Sequence, residues 1–212
     1  MTPNSGLFDQ QELKVKAIGA VRVSPDGKRL ALEILAGSTR DAWIYDGQRD
    51  TLTRLTFDPA DDRKPVWTPD GRRIVFASDR TAGGLDGAVN LFILDLAKGG
   101  IHQLTRGKWV DEGPSWGPDG RVYFTSDRDG VLNVFSTDTL GEGRRETSAW
   151  SGAFDAVPLP DSSGLLVGGF HDLSWNLYRY PVDTVARADR SRLADEPTGI
   201  RPVAGGELGQ ER

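Results

Sequence analysis

Short apolar segments alternate with polar turns through most of this chain, and the turns repeat. Ser24-Pro25-Asp26-Gly27, Thr68-Pro69-Asp70-Gly71 and Gly117-Pro118-Asp119-Gly120 share one pattern, and Pro160-Asp161-Ser162-Ser163-Gly164 is a loosened fourth copy. Apolar segments flank each copy, as Pro65-Val66-Trp67 and Ile74-Val75-Phe76 flank the second. These are hairpin residues: proline presets φ at the first corner, aspartate bonds its own backbone, and glycine takes the positive φ. The prolines stand 44, 49 and 42 residues apart.

Other features return in phase with the turns. Ser78-Asp79-Arg80 and Ser126-Asp127-Arg128 close a second strand, and Asn90, Asn133 and Asn176 open a third. In the first unit the third strand is matched by Trp43-Ile44-Tyr45, and Leu52 to Thr56 and Ile101 to Thr105 read as fourth strands. The extra length of the second unit falls between Arg80 and Asn90, a surface insertion rich in glycine. A four-stranded antiparallel meander returning about every 40 to 45 residues is a propeller blade. A β-sandwich also has short strands but gives no reason for one turn to recur at a fixed period. The fold expected is therefore all-β: a β-propeller with four blades visible, in a partial or open ring. The bounds are a lead-in segment 1–19, blades at about 20–58, 59–106, 107–149 and 150–183, and a mobile tail 184–212.

The Ser-Pro-Asp-Gly turns, Ser-Asp-Arg strand ends and Leu-Thr endings resemble the WD-like repeats of the TolB-like β-propeller family. Leu52 to Pro59 followed by Pro65 to Arg80 is especially similar to such blades. Two departures stand out: the fourth turn is degenerate, and Glu33-Ile34-Leu35 replaces the Ser-Asp-Arg ending in the first unit. The resemblance implies a binding scaffold, as in proteins of the Tol system. It equally implies an accessory propeller of a prolyl-oligopeptidase-type peptidase, or the sensor region of a bacterial protein kinase. Such propellers commonly have six or more blades, so missing blades or self-association would complete the ring.

Composition narrows the function. Of 212 residues 37% are hydrophobic, and the net charge of −5 argues against a nucleic-acid partner, which needs a basic stripe to displace counterions. Cysteine is absent, which excludes disulfides and thiolate metal sites. Met1 to Gln11 lacks the apolar run of a signal peptide, and no stretch is apolar enough to span a bilayer. The chain as it stands is expected in the cytoplasm, or in the periplasm if it belongs to a longer secreted protein, without membrane insertion.

No catalytic constellation emerges, and neither an enzyme nor a cofactor is expected. Gly113-Pro114-Ser115-Trp116-Gly117 matches the nucleophile-elbow wording of serine hydrolases, but that motif needs a strand, a strained turn and a helix. In the repeat register Ser115 matches Val66 and lies within a blade strand. The two histidines, His102 and His171, lack metal-ligand spacing, and no calcium-loop motif is present, so no metal is expected. Trp67 and Trp116 share one slot before the turn and should pack between blades, whereas Trp109, Trp150 and Trp175 are out of register.

Alternate turns of a meander share a side. The Pro-Asp-Gly turns therefore lie on one face of the disc, and the more variable loops (58–64, 81–88, 107–113, 129–132, 152–156 and 171–174) lie on the other. Variable loops on a rigid scaffold usually carry recognition. The site expected is this second face, with Asp62, Arg63, Trp109, Asp111, Glu112, Phe154, His171 and Trp175 as candidates for binding a protein or peptide.

Overall fold

A computed structural model describes residues 17–80, 87–141, 143–149, 151–171, 174–181 and 201–202. Among the described residues sixteen strands form four antiparallel sheets, each ordered as the chain runs. Blade 1 holds β1 (Ala17–Val23), β2 (Arg29–Ala36), β3 (Thr39–Asp46) and β4 (Thr51–Arg54). Blade 2 holds β5 (Asp62–Trp67), β6 (Arg73–Ser78), β7 (Asn90–Asp95) and β8 (Ile101–Gln103). Blade 3 holds β9 (Asp111–Trp116), β10 (Val122–Ser126), β11 (Asn133–Thr137) and β12 (Gly143–Arg145). Blade 4 holds β13 (Ala153–Pro158), β14 (Gly164–His171), β15 (Ser174–Pro181) and β16 (Arg201–Pro202). Its last strand falls within the stretch read as a tail; the remainder of that stretch, like the lead-in before Ala17, lies outside the described residues. No helix occurs among the described residues. The inner strands β1, β5, β9 and β13 lie side by side in succession, the arrangement of a partial propeller.

Alternating side chains of the sheets fill the three boundaries between successive blades. Ala31 and Ile44 of blade 1 meet Trp67, Ile74, Phe76, Phe92 and Leu94 of blade 2. On the other side of blade 2, Val66, Val75, Ala77, Val89, Leu91 and Ile93 meet Val122, Phe124 and Phe135 of blade 3. Tyr123 and Val134 then meet Ala153, Ala156, Leu165 and Val167 of blade 4. Trp67 and Trp116 occupy the inter-blade slot their register predicts. The buried Trp67 indole also donates to the carbonyl of Arg22 across the boundary, at 3.0 Å, which satisfies its one polar atom.

The repeated words have distinct structural jobs. In the Leu-Thr endings the threonine hydroxyl accepts the backbone N–H of one equivalent third-strand residue, the one after Asp41 or Asn90: Ala42 to Thr56 at 3.0 Å and Leu91 to Thr105 at 2.9 Å. Thr147 takes the Val134 N–H in the same way at 2.9 Å, a third copy that its Glu-Thr wording concealed. In the turns, Asp26 and Asp70 accept from the hydroxyls of Ser24 and Thr68 and from the backbone of Lys28 and Arg72, while Gly27 and Gly71 sit at φ 73° and 65°.

These turn contacts set an expected pH dependence. Hydroxyl donors hold three carboxyls below the usual value of 3.8: Ser24 at Asp26, Thr68 at Asp70 and Ser163 at Asp161. A lowered folded value means the stabilisation is whole above 3.8 and is lost as pH falls through the folded values. Burial pushes the Asp62 carboxyl the other way, so its contribution grows as pH falls. Asp61 and Asp95 are held low as well, so with five carboxyls against one among the described residues the urea midpoint should drop between about pH 5 and about pH 3. Thr68→Val, which removes the main donor at Asp70, should flatten that drop; an unchanged slope would refute the assignment.

Candidate functional site

Each inner strand is bulged, β5, β9 and β13 at one register, between Arg63 and Val66, Glu112 and Ser115, and Phe154 and Val157, and β1 one position earlier, between Ile18 and Val21. A bulge inserts an extra residue and re-aims a side chain. In β5, β9 and β13 the inserted position is left-handed: Lys64 at φ 49°, Gly113 at 64° and Asp155 at 51°. Glycine takes this conformation freely, whereas lysine and aspartate are held in it at about 1–2 kcal/mol each.

The bulges bring a belt of alternating charge across all four blades. Arg40 pairs with Glu33 at 3.2 Å and Asp61 at 3.3 Å, and Arg63 pairs with Asp61 at 2.7 Å and Glu112 at 3.7 Å. Lys64 continues to Glu112 at 3.5 Å and Asp155 at 3.9 Å. Two glycines make room for it. A Cβ at Gly113 would stand 3.2 Å from an Asp155 oxygen and 3.9 Å from the Lys64 ammonium, and a Cβ at Gly19 would lie 2.7 Å from the Glu33 carboxylate. Glu33 also accepts the Lys64 backbone N–H at 3.0 Å, tying blade 1 to the bulge of blade 2. Four carboxylates face three bases, and the surplus negative charge sits at the exposed end, on Asp155.

Of the residues expected at this face, Arg63 and Glu112 lie in the belt. Phe154 and Trp175 meet each other edge to face at 5.1 Å, and Phe170 packs on Trp175 at 5.2 Å. Gly168 allows this arrangement, since a Cβ there would be 2.7 Å from the Phe154 ring. Trp109 folds back over Gly107, with the Arg128 guanidinium 5.0 Å from its ring centroid. The backbone of His171 ends β14; its side chain, and Trp150, lie outside the described residues.

Asp62 and Asp111 are fully buried, and their carboxylates face inward. Asp62 receives Arg80 at 2.6 Å and Asp111 receives Arg128 at 2.8 Å, while Ser78 and Ser126 each accept the same arginine's Nε at 2.9 Å. The arginines lie over rings: Arg80 over Phe76 and Phe92, Arg128 over Phe124 and Phe135. The middle residue of each Ser-Asp-Arg ties the strand end to a neighbouring loop, Asp79 accepting the Asp61 N–H at 2.9 Å and Asp127 that of Val110 at 2.8 Å. Lys64 and Asp155 fall in the loops 58–64 and 152–156 read as part of this face but not among its named candidates, and Glu33 and Arg40 were missed. Sequence reasoning also missed Asp41, the buried first-blade counterpart of Asn90, which pairs with Arg54 at 2.9 Å.

The architecture is shared with solved propellers. A putative TolB from Agrobacterium tumefaciens superposes with a TM-score of 0.70 over 80% of this chain and 63% of that one, at 20% sequence identity. The fold is that of the TolB-like β-propellers. Among curated proteins, the Tol-Pal system protein TolB of Francisella tularensis is 26% identical over 112 residues, covering 53% of this chain and 25% of that protein. An uncharacterized peptidase, YuxL of Bacillus subtilis, is 29% identical over 126 residues, covering 57% of this chain and 17% of its own length. The chain spans about a third or less of the curated relatives it matches. No family model matches it.

In this TolB-like propeller Ser115 stands within β9, paired with Tyr123, and the chain turns straight into β10. The helix an elbow requires does not follow, so the matching wording is a product of the repeat. Among the described residues no group of three or more His, Cys, Asp or Glu side chains could hold a metal ion, and no helix is long and apolar enough to cross a membrane.

Proposed function

We propose that this TolB-like propeller is a non-catalytic scaffold that binds a protein or peptide through its loop-rich face, at the belt around Arg63, Lys64, Glu112 and Asp155. The observation that carries the reading is the shared bulge. Non-glycine residues are held left-handed where glycine would serve without strain, and strain of that kind collects at functional sites. The Tol-Pal relative supports a protein partner, and the resemblance to Tol-system proteins implies a periplasmic setting. A second reading is favoured by the similarity to a B. subtilis peptidase: the blades would serve as the accessory propeller of a peptidase domain and screen its substrates.

Charge reversal at Asp62 or Asp111 would disrupt a buried ion pair and could not test the face; the belt's half-buried members can. The double variant Lys64→Glu, Glu112→Lys should lose proteins captured from a periplasmic extract by the immobilised chain. Asp50→Asn, an exposed turn residue outside the belt, should keep them. Identical capture by all three proteins would discard the face.

A further inference from the structure

The boundary between blades 1 and 2 carries an apolar groove whose residues the next boundary replaces. It lies where the end of β4 and the residues after it face the β7–β8 hairpin, and it holds a cavity of about 430 Å³ that is open on one side. Leu55, Leu94, Leu96 and Ile101 wall the cavity, and Phe57 forms its lip. Both walls belong to described blades, so the groove does not depend on what lies beyond either end face.

The repeat supplies an internal control. The residue after each threonine that caps the third strand is Phe57 in blade 1, Arg106 in blade 2 and Ser148 in blade 3. Counted from the asparagine that opens the third strand, Leu94 and Leu96 correspond to Thr137 and Thr139 in blade 3, and strand pairing sets Gly143 in the slot of Ile101. The same frame is therefore built between blades 2 and 3 with polar or small residues in these slots. An apolar set that the frame does not need points to a ligand.

Phe57 is arranged to meet one. Its ring is 72% exposed, yet the Arg54 guanidinium lies 5.2 Å from its centroid. That guanidinium is itself pinned by Asp41 at 2.9 Å and by the Thr56 carbonyl at 2.7 Å, so one side of the ring is held and the other is open. An aromatic lip fixed beside an aliphatic cavity is preorganised for a bulky apolar side chain, which lowers the ordering cost of binding. Charge at the rim selects the neighbour of that side chain. Arg54 is paired with Asp41, and Asp58 with Arg80 at 2.9 Å, which leaves Asp95 as the surplus charge of the lining. The backbone N–H groups of Lys98 and Ala97 each reach one Asp95 oxygen at 2.9 Å and hold its carboxyl below the usual value.

From this complementarity we infer that the groove docks a partner peptide, with a leucine-like side chain in the cavity and an adjacent lysine or arginine at Asp95. An open groove suits one side of an extended segment, whereas a small molecule is ordinarily surrounded by its pocket. The groove shares no residue with the charge belt, and either contact can fail without the other.

Methyl NMR titration of the 212-residue chain with two capped dipeptides, acetyl-leucyl-lysine amide and acetyl-leucyl-glutamate amide, tests this. Shifts at the Leu55 and Ile101 methyls should saturate with the lysine peptide, at least about tenfold more tightly than with the glutamate peptide. Phe57→Ser with Leu96→Thr installs residues that blade 3 already carries in these slots, and should weaken the lysine peptide at least about tenfold. Circular dichroism confirms that this variant folds. Asp95→Asn keeps an acceptor for the turn and should erase the preference for lysine over glutamate. A chain that takes up neither peptide would overturn the inference, as would equal affinity for the two, or a double variant that binds like the wild type. Isoamyl alcohol binding as tightly as the lysine peptide would assign the cavity to a small apolar ligand. A chain mass that doubles with concentration unless Phe57→Ser is present would assign it to a second copy. Either result overturns the peptide.

Discussion

Replacing Arg128 with alanine is expected to destabilise the fold by about 3–5 kcal/mol, because it leaves the Asp111 carboxylate buried without its guanidinium. Asp111 is fully buried, and Arg128 reaches it at 2.8 Å while covering Trp109, Phe124 and Phe135. Solvent therefore cannot take over the lost interaction, and stacking is lost with the charge. Replacing both partners with apolar residues of similar length, Asp111→Leu with Arg128→Met, should recover most of the loss, since a buried pair often does no better than hydrophobic groups of its own volume. Urea unfolding followed by tryptophan fluorescence reads both numbers. A loss below about 1 kcal/mol for the single variant would mean that the pair behaves as a surface salt bridge.

Phe124→Ala should be comparably severe, at about 3–5 kcal/mol. The ring is fully buried between blades 2 and 3 and stacks on Phe135 at 6.2 Å, so truncation leaves a cavity walled on both sides by strands. Phe57→Ala is the comparison: that ring is 72% exposed, and its loss should stay within about 0.5 kcal/mol, as at most surface positions. Calorimetric melting of the two variants separates burial from ring chemistry. Equal shifts would show that the blade boundaries do not carry the stability assigned to them. Because Phe124 also underlies Arg128, combining it with Arg128→Ala should cost less than the two separate losses together.

The fold was legible because hairpin chemistry is local. A Pro-Asp-Gly turn needs no distant partner to declare itself, so Pro25, Pro69 and Pro118 revealed the period, and the period revealed the blades. Trp67 and Trp116 were placed correctly for the same reason: register alone assigns a shared apolar slot to a boundary. The site was harder to read. Asp62 and Asp111 sit at strand entrances where polar residues are ordinarily solvated, and the arginines that bury them lie 18 and 17 residues away in sequence. A clue was present, since the two occupy one slot and shared slots carry the fold. Lys64 and Asp155 left no such trace. Their conformation follows from bulges, which depend on the pairing of two strands and have no fixed wording. The aromatic contact of Phe154 with Trp175 needed Gly168 on a third segment, a dependence that composition does not record.

The belt has a consequence for anyone who would transplant it. Its seven charged groups come from all four blades, and Gly19 and Gly113 contribute by leaving space. Grafting the segment around Glu112 onto another propeller would carry a lone anion without its counter-ions. Swapping a whole blade would break the chain of charges at two seams. The charge pattern is a property of the assembled blades, so it can drift only by coordinated change in adjacent repeats, however freely any single loop varies.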